Sequence, residues 1–263
     1  MDTEVLIVIP TLGQRVYYLS QTLESIRNQQ VEADITVVTP VSATAARALA
    51  HEYAAEVIDD PGSLPAAINL GVAQAGMQYR YVNWLGDDDL LTDQSLEYTV
   101  GALRVNPRSV VAYGYCRYID PQGKELWVSQ AGKWADRILA WGPDLIPQPG
   151  MLIRKEAWDL VGGVDESLSH AFDLDLLLKL KNQGEFTPVN QVVSCFRWHP
   201  ESLTVSDRSK SLNESEEIKR RYLSPRQDKL KWLWEQPVRV ATRFAAQRLN
   251  KRAYRLSAAK TSG

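Results

Sequence analysis

Within the first 85 residues, four short apolar runs (residues 4–9, 34–39, 55–58 and 80–85) alternate with segments of helical character. Residues 16–28 place Leu19, Leu23 and Ile26 on one helical face, and residues 43–53 are rich in alanine. Residues 65–75 carry Pro65 in the first turn of a helix, where its missing N–H has no partner to lose. Short apolar strands alternating with helices imply a parallel sheet covered on both faces. Ligands of such sheets bind beyond the carboxyl ends of the strands. Pro10 and Thr11, Asp59 and Asp60, and the triplet Asp87, Asp88 and Asp89 all fall at those ends.

Three adjacent carboxylates repel one another unless a cation is near. A hard divalent ion such as Mg²⁺ takes one or two carboxylates and completes its shell with phosphate oxygens and water. The triplet therefore reads as a metal–diphosphate site at a strand end. The competing reading is a solvated turn that starts a helix near Thr92, because acids also favour helix N-termini. The strand-end coincidence favours the first.

The pattern changes after Asp93. A helix over 94–105 leads to a strand over 109–119, a turn at Asp120-Pro121-Gln122-Gly123 and a second strand over 125–129, which implies antiparallel pairing. Residues 134–150, rich in Trp, Pro and Gly, read as a loop or short helix that shapes a pocket. A strand over 151–153, helices over 155–161 and 172–183, and a strand over 188–198 follow. In the 172–183 helix Leu174, Leu177 and Leu178 must face the core, with Asp173 and Asp175 beside that stripe. Asp173 reads either as an N-cap or as a general base projecting into a cleft. His199, in a polar turn after the last strand, reads either as a surface histidine or as a metal or phosphate ligand. His51 and His170 have weaker claims. Trp127, Trp134, Trp141 and Trp158 offer faces on which an acceptor sugar could stack, or else anchor the core.

In this order, Val8-Ile9-Pro10-Thr11, residues 64–71, Trp84-Leu85-Gly86-Asp87-Asp88-Asp89, residues 161–166, the Asp173 helix and Phe196-Arg197-Trp198-His199 resemble the inverting glycosyltransferases of family 2. The likeness covers roughly residues 4–205. It implies the α/β GT-A fold: a Rossmann-like nucleotide-binding sheet joined to a smaller mixed acceptor-side region, here with a C-terminal helical tail. Residues 1–205 would be the catalytic domain and 206–263 a basic helical extension. The resemblance further implies sugar transfer from a nucleotide-diphosphate donor to a saccharide or lipid-linked acceptor in surface polysaccharide or glycolipid synthesis, with Mg²⁺ or Mn²⁺. Pro10 and Thr11 would lie near the nucleoside, Asp59 or Asp60 at base or ribose, and Asn69 and Asp87 on the donor side. Asp88 and Asp89 match the acidic metal pair, Asp173 the catalytic base, and His199 a basic or metal-binding position. One departure stands out: Val38-Thr39-Pro40-Val41-Ser42 has no carboxylate where the family usually reads the base, which leaves Thr39 or Asp59 for that task. A sugar-nucleotide nucleotidyltransferase is the enzymatic alternative, but residues 11–15 are a poor version of its glycine-rich loop. A degenerate transferase serving as a binding or scaffold module is the other.

At 44% hydrophobic and 24% charged the composition is that of an ordinary globular protein, without the roughly 20 apolar residues of a membrane span. Cys116 and Cys195 lack metal-ligand spacing and read as reduced, buried thiols of a cytoplasmic protein. Residues 225–263 hold ten Lys/Arg against two acids, a net +8, while the rest of the chain carries −10. The aromatic residues interleaved over 228–256 suit either an anionic inner membrane surface or packing on the catalytic domain or a second subunit of a homo-oligomer. An acidic body without a recognition motif argues against nucleic acid.

Overall fold

The computed structural model describes residues 3–76, 78–130, 135–142, 145–198 and 208–223. The elements, in order, are β1 (Val5–Pro10), α1 (Val16–Arg27), β2 (Ala33–Thr39), α2 (Thr44–Glu52), β3 (Glu56–Asp59), α3 (Leu64–Gln74) and β4 (Tyr81–Trp84). Then come β5 (Leu90–Leu91), α4 (Ser95–Val105), β6 (Ser109–Ile119), β7 (Glu125–Ser129), α5 (Ala135–Ile138), β8 (Leu152–Arg154), α6 (Lys155–Val161), α7 (Phe172–Lys181), β9 (Glu185–Arg197) and α8 (Arg208–Tyr222). Among the described residues, nine strands form one sheet in the order β3-β2-β1-β4-β8-β6-β9-β5, with β7 paired to β6.

The four leading strands are parallel, as the alternation requires. Every residue of β1 is buried, and successive side chains go to opposite faces. Leu6 and Val8 join the layer with Ile68 and Val72 of α3, while Val5, Ile7 and Ile9 join Leu19, Leu23 and Ile26 of α1. α3 approaches β1 so closely that a Cβ on Gly71 would come within 2.5 Å of a Val8 methyl. Glycine at this point lets the helix lie flat on the strand.

The second half is mixed. β6 runs antiparallel to β7, as expected, and also to β8, but parallel to β9; the sequence disclosed neither of the last two pairings. β9 begins at Glu185, ahead of the expected start, and extends across to pair with β5. A short 3₁₀ turn, Gln148–Gly150, docks across the end of β4: the Gln148 amide donates to the Trp84 carbonyl at 2.7 Å, and Asn83 donates to the Pro149 carbonyl at 3.1 Å. Both cysteines are buried and reduced. No helix among the described residues is long and apolar enough to cross a membrane. The helices expected over 228–256 lie outside the described residues.

Candidate active site

The turn between β4 and β5 carries the acid triplet, and it is not the solvated helix start of the alternative reading. Asp87, Asp88 and Asp89 are 4, 9 and 6% exposed, and α4 starts only at Ser95. Buried carboxylates need partners, and each here has one. Asp87 accepts from the Thr11 hydroxyl and from one Arg15 nitrogen, both at 2.5 Å. The other terminal nitrogen of Arg15 reaches Asp88 at 2.5 Å, so one guanidinium bridges two carboxylates. Asp89 accepts from the Arg197 backbone N–H at 3.1 Å. Burial raises Asp87 above the ordinary aspartate value; Arg15 and Thr11 oppose it, and the neighbouring Asp88 adds to it. Burial, then the charge of Asp88, pushes Asp89 well above its usual range.

Arg197 braces this turn from below. Its side chain is 1% exposed, and its donors go to the Asp88 carbonyl (3.0 Å), the Pro121 carbonyl (3.0 Å) and the Gln21 side chain (2.7 Å). The guanidinium lies 4.3 Å from the Tyr18 ring centroid. Thr22 adds a bond to the Asp89 carbonyl at 2.8 Å. One buried cation thus ties α1, the acid turn and the β6–β7 turn together.

Among the described residues, no three His, Cys, Asp or Glu side chains converge on one point as a closed protein cage would require. The donor set nonetheless fits a divalent ion of the open, phosphate-completed kind. Arg15 already stands as a cation on two of the carboxylates. A Cβ on Gly86 would sit 3.0 Å from an Asp89 carboxylate oxygen and 3.1 Å from one of Asp88, so the absent side chain leaves a cradle faced by both.

The other strand-end residues fall around the triplet with differing jobs. Pro10 closes β1 beside Val38, and the Thr11 N–H bonds the Val38 carbonyl at 2.9 Å. Thr39 is fully buried, and its carbonyl takes the Asp60 N–H at 3.1 Å. Asp59 is exposed and paired with Arg47 at 2.8 Å, whereas Asp60 turns its carboxylate back to the Gly62 N–H at 3.0 Å. Asn69 spends its amide on the Val164 backbone in both directions (2.9 and 3.0 Å) and on Glu166, clamping the Gly162-Gly163 turn to α3. His199 and Trp134 lie outside the described residues. Trp127 stacks on Tyr118 with ring centroids 4.3 Å apart, Trp158 is buried against Trp84, and Trp141 is 38% exposed.

Asp173 heads α7, and the residue before it ties that helix to the acid-bearing strand. The Phe172 ring packs 6.2 Å from Trp84, which closes β4 just ahead of the triplet. The capping reading fails in detail, since Ala171 occupies the N-cap and the Asp173 carboxylate accepts the Leu174 N–H, at 2.8 Å, and its own backbone N–H. The anion at this helix start is supplied from α8 instead. Glu214 accepts the N–H groups of Ser169 (3.0 Å), His170 (2.6 Å) and Ala171 (2.7 Å). Burial alone would raise Glu214, but those three N–H groups and the nearby His170 together hold it below the ordinary glutamate value. Asp173 moves the opposite way. Burial lifts its carboxyl to about 6; the Leu174 N–H pulls it down and the Glu214 charge pushes it up. α8 is further fixed by fully buried Ile218 and by the Tyr222 hydroxyl, which donates to Asp175 at 2.9 Å. Glu214→Ala should orphan three N–H groups, cost about 1–3 kcal/mol in stability and lower turnover more than donor affinity. Paired denaturant melts and steady-state kinetics would check this; an unchanged melt would show that Glu214 does not anchor the loop.

Sequence reasoning passed over Arg15, Arg197 and Glu214. Arg15 was visible only as a lone cation after β1, Arg197 lay unremarked within a quoted motif, and Glu214 is one acid among several in a polar stretch.

A two-sided α/β sheet with buried acids at its carboxyl edge, and a carboxylate-headed helix packed on the same strand, is an architecture whose ligands bind beyond the strand ends. The model of glycosyl transferase family 2 matches residues 6–159, and the chain belongs to that family. The mannosyltransferase PcManGT from Pyrobaculum calidifontis, solved with GDP-Man and Mn²⁺, superimposes with a TM-score of 0.66 at 14% identity, covering 99% of this chain and 80% of that one. S. aureus TarS 1–349, solved with UDP-GlcNAc, gives 0.63 at 14% identity over 83% of this chain and 71% of that one. These likenesses show the GT-A fold. Chondroitin synthase of Escherichia coli is 27% identical over 116 residues, 43% of this chain and only 16% of the relative's length.

Proposed function

We propose that the chain is an inverting, metal-dependent glycosyltransferase that moves a sugar from a nucleotide-diphosphate donor to a hydroxyl of a saccharide or lipid-linked acceptor. Surface polysaccharide or glycolipid synthesis is the setting that suits it. The observation that carries the reading is Asp173: a partly buried carboxyl, raised to about 6, at the head of a helix packed against the acid-bearing strand end. Near neutral pH such a group is ionised yet holds a proton well, the balance a general base needs. Asp173 would take the proton of the acceptor hydroxyl as that oxygen attacks the anomeric carbon from the face opposite the diphosphate.

On the donor side, Asp88 and Asp89 would hold the divalent ion, with Asp87 and Thr11 locking the turn. When bound, that ion neutralises charge building on the leaving diphosphate. Arg197 and Thr22 keep the carboxylates fixed, so little reorganisation accompanies the reaction. The name of one neighbour carries a UDP-sugar and that of another a GDP-sugar with Mn²⁺, which supports donors of this class. The pair formed by exposed Asp59, at the tip of β3, and Arg47 of α2 is the candidate for base contact. A panel of UDP-, GDP- and dTDP-sugars, followed for nucleotide release with Mn²⁺ and without acceptor, should reveal slow hydrolysis of one donor. If none is hydrolysed or bound, the reading is wrong.

A further inference from the structure

We propose that Arg15 is a built-in counter-ion that trades the carboxylates of Asp87 and Asp88 for the donor's diphosphate, so that metal and nucleotide each ease the other's binding. The inference rests on the donor reading above and goes further, assigning a task to a residue outside the acidic motif.

Its basis is the asymmetry of the contact. The carboxylate side chains are nearly sealed, at 5% exposure for Asp87 and 12% for Asp88, while the Arg15 side chain facing them is 37% exposed. Arg15 therefore covers the acids from the open side, and a ligand approaching the strand ends meets the guanidinium first. Its backbone is held, since its carbonyl accepts the Leu19 N–H at 2.9 Å as the first bond of α1. Only the side chain is left to move. Its nitrogens bond two different carboxylates rather than one, a bridge that a single new partner can undo in steps.

The charges set the direction of the exchange. Arginine does not lose its proton, so the cation on these acids is permanent. A divalent ion taking Asp88 must sit near that cation and is repelled by it. A diphosphate offers the guanidinium a forked acceptor at least as good as the carboxylates it leaves. Once Arg15 turns to the phosphates, Asp88 is open to the metal and the metal's charge further favours the phosphates. Reciprocity of linkage makes each ligand tighten the other equally.

The test titrates the full chain with Mn²⁺, read by the electron paramagnetic resonance of free Mn²⁺, alone and with UDP, GDP or dTDP. Nucleotide affinity without metal is read by calorimetry. Arg15→Gln is expected to bind Mn²⁺ alone about 5-fold or more tighter than wild type, and nucleotide alone more weakly by a similar factor, within the usual span of coupling. Arg15→Lys, which keeps the charge but not the fork, should fall between. A merely structural role for Arg15 would weaken both ligands together, and that result overturns the inference. So does an Arg15→Gln protein whose affinity for Mn²⁺ alone is unchanged while wild type binds nucleotide. Wild-type protein that binds none of UDP, GDP and dTDP, with or without Mn²⁺, overturns the donor reading itself and takes this inference with it.

Discussion

Asp173→Asn is expected to lower turnover by roughly 10²–10⁴-fold, the usual contribution of a positioned general base, while leaving donor binding within about twofold by calorimetry. The amide is nearly isosteric and still accepts the Leu174 N–H, so the loss isolates proton acceptance. In wild type, turnover should rise with pH through about 6, because only the carboxylate accepts a proton. Stability carries the opposite sign. The native carboxyl titrates near 6 and the unfolded one near 3.8, so between those values the native chain holds more protons and stability falls as pH rises. Asp173→Asn should therefore be the more stable protein at pH 8, by up to roughly 3 kcal/mol, with the advantage gone below about pH 4. A variant transferring sugar near the wild-type rate would remove Asp173 from the chemistry. One that is less stable at pH 8 would mean that the carboxylate serves packing instead.

Chelation is expected to have the next largest effect. Excess EDTA should reduce turnover about 100-fold or more, equivalent to the several kcal/mol that a divalent ion contributes at a leaving phosphate, and Mg²⁺ or Mn²⁺ should restore it. Asp89→Asn should do the same without rescue by added metal. The acids' surroundings explain why substitution is not a mild test. Asp89 holds the Arg197 N–H, and Gly86 packs beneath both Asp88 and Asp89, so the turn is a fitted unit. Melting curves of Asp89→Asn should accordingly be recorded beside the kinetics. Full turnover in excess chelator would leave Arg15 as the cation that serves the diphosphate.

Much of this architecture was legible in the sequence because burial on both faces leaves a plain mark. β1, with all six residues buried, reads as an unbroken apolar run, and β6, β7 and α6 fall where the sequence placed them. The acids at the strand ends were legible for a related reason: charged residues directly after an apolar strand have few structural uses. β5 was not, being two residues long and a strand only because β9 returns to it. α8 falls inside the tail read as helical, but its bounds were not legible, since Ile218 is the one fully buried side chain among those described in a polar run. The supporting contacts were out of reach for the same cause. Arg197 meets Asp88 across 109 positions and Glu214 meets Ala171 across 43, and no local pattern encodes either.

The pairing of β5 with β9 also orders events during folding. β1 to β4 assemble from neighbours in sequence, whereas Leu90 finds its partner at Cys195 and Asp89 its backbone donor at Arg197. Closing so long a loop is entropically slow, and the contact cannot form before the distant strand arrives. On a ribosome the β1–β4 half can therefore take shape well before the carboxylate turn acquires its final geometry. A nascent chain that has not yet released β9 holds the scaffold but not the finished catalytic edge.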